Sequence, residues 1–234
     1  MPYRRTENVV RRLAAREQAI LDAATAIAGE SGMGAVQIAA VAERAHIAAG
    51  TVYRYFPSKT ELIAALIGAV AARELTAMRA AADAAPGPLS ALAASIATFA
   101  ARAYSVRRLA WAVTAEPVEP QVDALRLDFR QSIAAELQVR IEAAIAGHHL
   151  PEQDANSAAP AIMGALMEGL IGPLAPWPSD ETSAREAVQS AALLALRALG
   201  VIDARARGLV AQCALPKVSA PPPPAPRPAA MSRA

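Results

Sequence analysis

Apolar residues along most of this chain recur at intervals of three and four, the spacing that gathers side chains on one face of an α-helix. The first such run, about residues 13–30, carries Leu13, Ile20, Ala24 and Ile27 on one stripe and stops at Gly32 and Gly34. Two short segments follow, 38–45 and 49–55, before Phe56-Pro57-Ser58 breaks the pattern. Ser58 with Glu61 three residues on has the form of a capping box, opening a long helix to about Ala82. Beyond a second break at 84–88, periodic runs at 88–104, 106–115, 119–146, 155–172 and 180–200 predict five more helices. The pattern decays from about Asp203, and the prolines at 221–224, 226 and 228 predict an extended tail over 216–234. The expectation is an all-α chain of about nine helices. It divides into a small helical unit at 1–60, a larger helical body at 61–202 and a Pro-rich tail at 203–234.

Composition sharpens this reading. Hydrophobic residues make up 54% of the 234 positions but aromatics only 4%, with alanine supplying much of the difference. Alanine favours helix over strand. The single cysteine, Cys213, excludes an intrachain disulfide and suits a reducing compartment. No basic-then-apolar leader opens the chain, so a cytoplasmic protein is expected, without a membrane partner. Residues 84–101 lack charge and 155–178 contain only Glu168. The first stretch is Ala/Ser-rich and the second is interrupted by four prolines, so neither suits a spanning helix. Net charge is +2, yet residues 1–16 carry five arginines against Glu7, a basic start that suits a polyanion partner.

Function concentrates in residues 36–59. A short helix bearing Ile38, Val41, Ala42 and Ala45 meets a tight turn at His46-Ile47, then a second short helix. Val52 and Phe56, four apart, form the inner face of that second helix. Ala48, Ala49, Gly50, Thr51, Tyr53, Arg54 and Tyr55 then lie on or near its outer face. This is the arithmetic of a helix-turn-helix, whose second helix enters the DNA major groove. Gly50 permits close approach to a phosphate, and Thr51 and Tyr53 offer hydroxyls that fix register on the backbone. Arg54 offers charge, and Lys59 pairs with phosphate as a point charge. Arg4 and Arg5, on a basic arm, suit the minor groove or the backbone, and Gln37, at the start of the first short helix, completes the candidate DNA contacts.

The run Gly50-Thr51-Val52-Tyr53-Arg54-Tyr55-Phe56-Pro57-Ser58-Lys59 resembles the signature of the tetracycline-repressor (TetR) family of transcriptional regulators. The resemblance is specific over about residues 12–66 and rests beyond that on helix count and length. It implies a three-helix DNA reader followed by a helical body that binds a small molecule and dimerises. Three positions depart from the family pattern. His46 stands where glycine is usual in the turn, Gln37 replaces the usual Ser or Thr cap, and Ala48 and Ala49 replace polar base readers.

For the body, the candidate effector contacts are Phe99, Tyr104, Trp111, Phe129, Met163, Met167 and Trp177. Arg102, Arg107 and Arg108 suit either an anionic ligand or, as the more favoured reading, a solvated face. Glu168 suits a polar ligand group or a hydrogen bond across a dimer. The expected dimer interface is Ile162, Leu166 and Leu170 with Val188, Ala192, Ala195, Leu196 and Leu199, two helices per subunit forming a four-helix bundle. Nothing calls for a cofactor or metal: His148 and His149 diverge on their helix, and no nucleophile elbow, phosphate loop or zinc motif is present. An enzyme is therefore not expected. The expected partners are a double-stranded DNA operator, a second copy of the chain and a small, largely apolar effector. A DNA-binding architectural protein without a ligand response is the alternative.

Overall fold

Glycine, proline and short capping side chains end the helices close to where the apolar pattern places them. The computed structural model describes residues 3–116, 120–178 and 180–215, the side chains of residues 3–6 and of residue 121 excepted. Its elements are α1 (Tyr3–Ser31), a 3-10 turn (Met33–Ala35), α2 (Ile38–Arg44), α3 (Ala49–Tyr55), α4 (Lys59–Asp83) and α5 (Pro88–Ser105). There follow α6 (Arg107–Thr114), α7 (Pro120–Ala146), α8 (Ala155–Leu166) with a π-helical turn (Met167–Ile171), α9 (Glu181–Ala198) and α10 (Asp203–Gln212). Ser58 caps α4 by accepting from the Glu61 amide at 3.1 Å, and Asp180 with Ser183 forms a reciprocal capping box on α9. Pro88 occupies the first turn of α5, where its missing N–H costs nothing.

Two ends differ from the sequence expectation. Helix α1 begins at Tyr3, ten residues before the stripe does, because periodicity reports packing and not helix. No glycine or proline stands between Tyr3 and Ala28, yet residues 7–19 are exposed and Ile20 is the first buried side chain. Leu13 is accordingly outside the core. The basic arm expected around Arg4 and Arg5 is helical in its backbone; their side chains lie outside the described residues. At the other end, residues 203–212 form α10 instead of joining the tail, for a total of ten α-helices among the described residues. Ala206 and Val210 bury one side of α10, while Asp203 pairs with Arg197 of α9 and with Arg207. The proline-rich stretch at 216–234 lies outside the described residues.

The second half of α1, α2, α3 and the start of α4 enclose a core of Ile20, Ala24, Ile27, Met33, Val41, Val52, Phe56 and Leu62. In the body α5 is the central element, buried along nearly its whole length against α4, α7 and α9. Its alanines let those helices approach closely. Between α4 and α7 the buried Glu136 accepts from Arg79 and from Arg140, each at 2.8 Å, satisfying its charge where water is excluded.

Helix α6 joins the two units. The Glu116 carboxylate, just past its end, accepts the Met33 amide of the reader at 2.9 Å, and Arg108 donates to the Ser31 carbonyl at 3.1 Å. Gly32, at φ +86, passes between them. No single helix among the described residues is long and apolar enough to cross a membrane. Helices α5 and α6 pass only as a pair bent by 103°.

Candidate nucleic-acid interface and effector cavity

The turn between α2 and α3 is closed by backbone hydrogen bonds from His46 N–H to Glu43 O (3.1 Å) and from Ile47 N–H to Ala42 O (3.0 Å). His46 adopts φ +53, the left-handed conformation that favours glycine, and histidine is among the side chains that tolerate it. Ile47 packs beneath the crossing, and Val52 and Phe56 turn into the core as their spacing predicts. Gln37 sits at the N-cap of α2 without a capping hydrogen bond; its amide instead donates to Gly34 O at 2.9 Å.

Ala48, Ala49, Gly50, Tyr53 and Arg54 are exposed together on the outer side of α3, with Tyr53 52% accessible. Thr51 and Lys59 are half-buried at the edge of this surface. Tyr55 is half-buried too and leans on the core, so it belongs less to the outer face than its neighbours do. Arg44 turns away from the surface to form a bidentate pair with Glu30 of α1, at 2.7 and 2.6 Å. That pair locks α1 to α2, and the donated hydrogen bonds hold the Glu30 carboxyl below its usual range. A Cβ added at Gly50 would meet nothing within 4 Å. The fold itself thus places no demand for glycine there, whereas a close external surface would.

Behind the reader, a cavity of about 270 Å³ opens between α1, α4, α5, α6, α7 and the π-helical turn. Its apolar walls include Val70, Phe99, Ala110, Val113, Phe129 and Ile171, all buried. Thr25 of α1 reaches it from the reader. Arg73, Glu74, Arg102 and Val106 stand at the cavity edge. Arg102 donates from Nε and Nη2 to both oxygens of Glu74, at 2.7 and 2.9 Å. That bond raises the Arg102 pKa against the opposing effect of burial.

Of the seven candidate effector contacts, the structure brings Phe99 and Phe129 to this cavity. Tyr104, Met163 and Met167 are buried in the core away from it, and burial pushes the Tyr104 phenol up. Trp111 is half-buried elsewhere on α6. Trp177 lies outside, with its ring over the Arg107 guanidinium at 4.3 Å. Arg107 itself is 4% exposed and overturns its assignment to a solvated face. It donates to the carbonyls of Gly172, Ala175 and Pro176, each at 2.9 Å, and so pins the α8–α9 connection to α6. Burial depresses its pKa. Val70, Arg73, Glu74 and Thr25 were missed because each sits on a helix whose stripe reports only packing.

The eight residues expected at the dimer interface also require correction. Ile162, Leu166, Leu170, Val188, Ala192, Ala195, Leu196 and Leu199 are all buried within one chain. The bulky stripes of α8 and α9 serve the intrachain core, because a helix buries its largest apolar face first. What the two helices expose is the smaller face, with Ala161, Gly164 and Ala165 on α8 and Leu194 on α9. Glu168, also exposed, folds back to accept the Leu174 amide at 3.3 Å.

Comparison with known proteins places these features. The sequence model of "Bacterial regulatory proteins, tetR family" matches residues 20–66, the span from the first buried turn of α1 to the start of α4. The transcriptional repressor KstR of Mycolicibacterium smegmatis is 57% identical over 53 residues, 23% of this chain and 26% of that protein. KstR of Mycobacterium tuberculosis is 55% identical over 53 residues, 23% of this chain and 24% of its own length. The match thus spans about a quarter of these curated relatives. Over the whole fold, the structure of RolR in complex with resorcinol is 21% identical and superposes with a TM-score of 0.62, covering 90% of this chain and all of that one. FadR from Bacillus subtilis in complex with stearoyl-CoA gives 0.65 at 17% identity, covering 79% of this chain and 98% of that one. The amino-terminal domain thus matches the tetR family of bacterial regulatory proteins over residues 20–66, and the chain as a whole shares the fold of these solved regulators.

Proposed function

We propose that the chain is a ligand-responsive transcriptional repressor of the cytoplasm, binding a (pseudo)palindromic operator as a homodimer and released by a small, largely apolar effector. The observation that carries this reading is the pairing of an exposed α3 surface with a cavity to which the reader's own α1 contributes Thr25. A ligand in that cavity touches the reader directly. It also lies beside α6, whose Arg108 and flanking Glu116 grip the turn after α1. The curated relatives are repressors, and RolR and FadR are solved with small molecules, which supports the same reading.

In this mechanism Tyr53, Thr51, Arg54 and Lys59 hold phosphates, with Ala48 and Ala49 meeting the base edges, and Arg4 and Arg5 add charge on the flank. The dimer uses the exposed small-residue face of α8 and α9, since Ala161, Gly164 and Ala165 let helices of two subunits come close. Two readers then sit about one DNA turn apart, roughly 34–36 Å. The effector acts only through its preference for one spacing over the other.

Selection of bound duplexes from a random pool by the full-length chain tests this. The reading requires a symmetric consensus with two half-sites and two chains, or a multiple, per site. Recovery of no consensus, with equal affinity for every duplex, would favour an architectural protein instead.

A further inference from the structure

The cavity has a charge asymmetry that identifies the kind of effector it accepts. Its interior is apolar, and Thr114, one of its few hydroxyls, already donates to the Ala110 carbonyl at 2.5 Å. Its edge carries two guanidiniums, Arg73 and Arg102, against one carboxylate, Glu74. Each Glu74 oxygen accepts from Arg102, so the carboxylate's charge is balanced within that pair. Arg73 is exposed and has no ion-pair partner among the described residues. One positive charge at the edge of an apolar cavity is therefore left uncompensated.

Size narrows the class further. An apolar cavity of about 150 Å³ holds one benzene. By that scale, the 270 Å³ here suits about eleven non-hydrogen atoms. A long acyl chain does not fit within it.

We propose that the effector is a compact monocarboxylate, a single aromatic ring on a short stem, whose ring packs between Phe99 and Phe129 and whose carboxylate meets Arg73 beside the Arg102–Glu74 pair. This rests on reading the cavity as the effector site. Arg73 is the specificity residue: it rewards an anion at the edge, while the apolar walls exclude a second charge. Glu74 tempers the site by neutralising Arg102, so its removal makes the edge more attractive to anions.

The test is calorimetric titration of the full-length protein with 3-phenylpropanoate, its amide and the corresponding amine, with resorcinol and stearoyl-CoA as further arms. The acid is expected to bind at least tenfold more tightly than the amide or the amine. Arg73→Gln should weaken the acid by about three- to tenfold and leave the amide unmoved, as loss of one partly exposed charge contact implies. Glu74→Gln should strengthen the acid, and thermal melts establish that both variants are folded. Equal binding of acid and amide, tightest binding of the amine, or an Arg73→Gln variant with unchanged acid affinity would each overturn the proposal. If the three phenylpropyl probes fail while resorcinol or stearoyl-CoA binds and releases DNA, the carboxylate class is wrong and ligand sensing stands. If none of the five binds, the sensor reading falls with it.

Discussion

Replacing Gly32 with alanine tests how the DNA reader is fastened to the body. The residue sits at φ +86, ψ 173, a conformation populated essentially by glycine, so alanine costs about 1–3 kcal/mol from the backbone alone. An added Cβ would lie 2.5 and 2.8 Å from the two Glu116 carboxylate oxygens, and closer still to Arg108 Nη2. Those side chains must withdraw, and the Met33 amide then loses the Glu116 oxygen it donates to at 2.9 Å. An amide stranded in this way costs about 1–3 kcal/mol. The two contributions together predict a loss of about 3 kcal/mol, or roughly 6–12 °C in melting temperature for a chain of this size. Circular-dichroism melts and urea titrations of Gly32→Ala, Glu116→Ala and the double variant measure it. In the Glu116→Ala background the glycine substitution should cost its backbone share and the displacement of Arg108 alone, leaving a coupling of about 1 kcal/mol or more. A Gly32→Ala protein within about 0.5 kcal/mol of the parent, or strictly additive variants, would refute the clasp.

Gly50→Ala should leave stability unchanged or raise it by up to about 1 kcal/mol, since the new methyl meets nothing. Operator affinity should nevertheless fall roughly tenfold if α3 sits close to phosphate; full affinity would remove Gly50 from the interface. Arg107→Met should cost about 2 kcal/mol and speed hydrogen exchange over residues 172–178, because three carbonyls lose their donor. Unchanged exchange there would mean that the connection is held by other contacts. Glu30 is held below its ordinary pKa by Arg44, Asp203 by Arg207 and then Arg197, and Asp154 by Ser157 and then Asn156. Depressed carboxyls stabilise the fold above their unfolded pKa, about 4, and that stability is lost as pH falls through the folded values. The urea midpoint should thus hold between pH 5 and 8 as far as these groups are concerned and fall below about pH 4. A fall already under way at pH 5.5 would contradict this assignment.

Helix positions were legible because each boundary has a local cause: Gly87-Pro88 before α5, Ser58 before α4, Asp180 before α9. The reader was legible residue by residue, since Val52 and Phe56 must turn inward for the two short helices to cross at all. His46 stood out only through the resemblance, which sets glycine in this turn, and the residue adopts φ +53. What escaped were features that depend on which helices meet. Periodicity marks the apolar stripe of α9 but not its target, and Val188 and Leu196 proved to face α5 and its neighbours within the same chain. Arg107 read as solvated because nothing local shows that three carbonyls from residues 172–176 converge on it. Helix α10 was overlooked because only Ala206 and Val210 are buried along it, too few for a stripe. The cavity gathers its lining from six elements that the sequence does not place side by side, and only Phe99 and Phe129 of the seven candidate contacts reach it.

The most direct test of the central claim is fluorescence anisotropy of the full-length protein and its Tyr53→Ala variant on the selected operator, across a salt series with scrambled duplex as control. Tyr53 is exposed and packs on nothing essential, so the variant should fold normally. The parent should bind the operator in preference to scrambled DNA, with affinity falling steeply as salt rises. The folded variant should bind at least tenfold more weakly. A folded Tyr53→Ala protein with the parent's affinity, or a parent that does not distinguish the two duplexes at any salt, would contradict the placement of α3 as the DNA-reading helix.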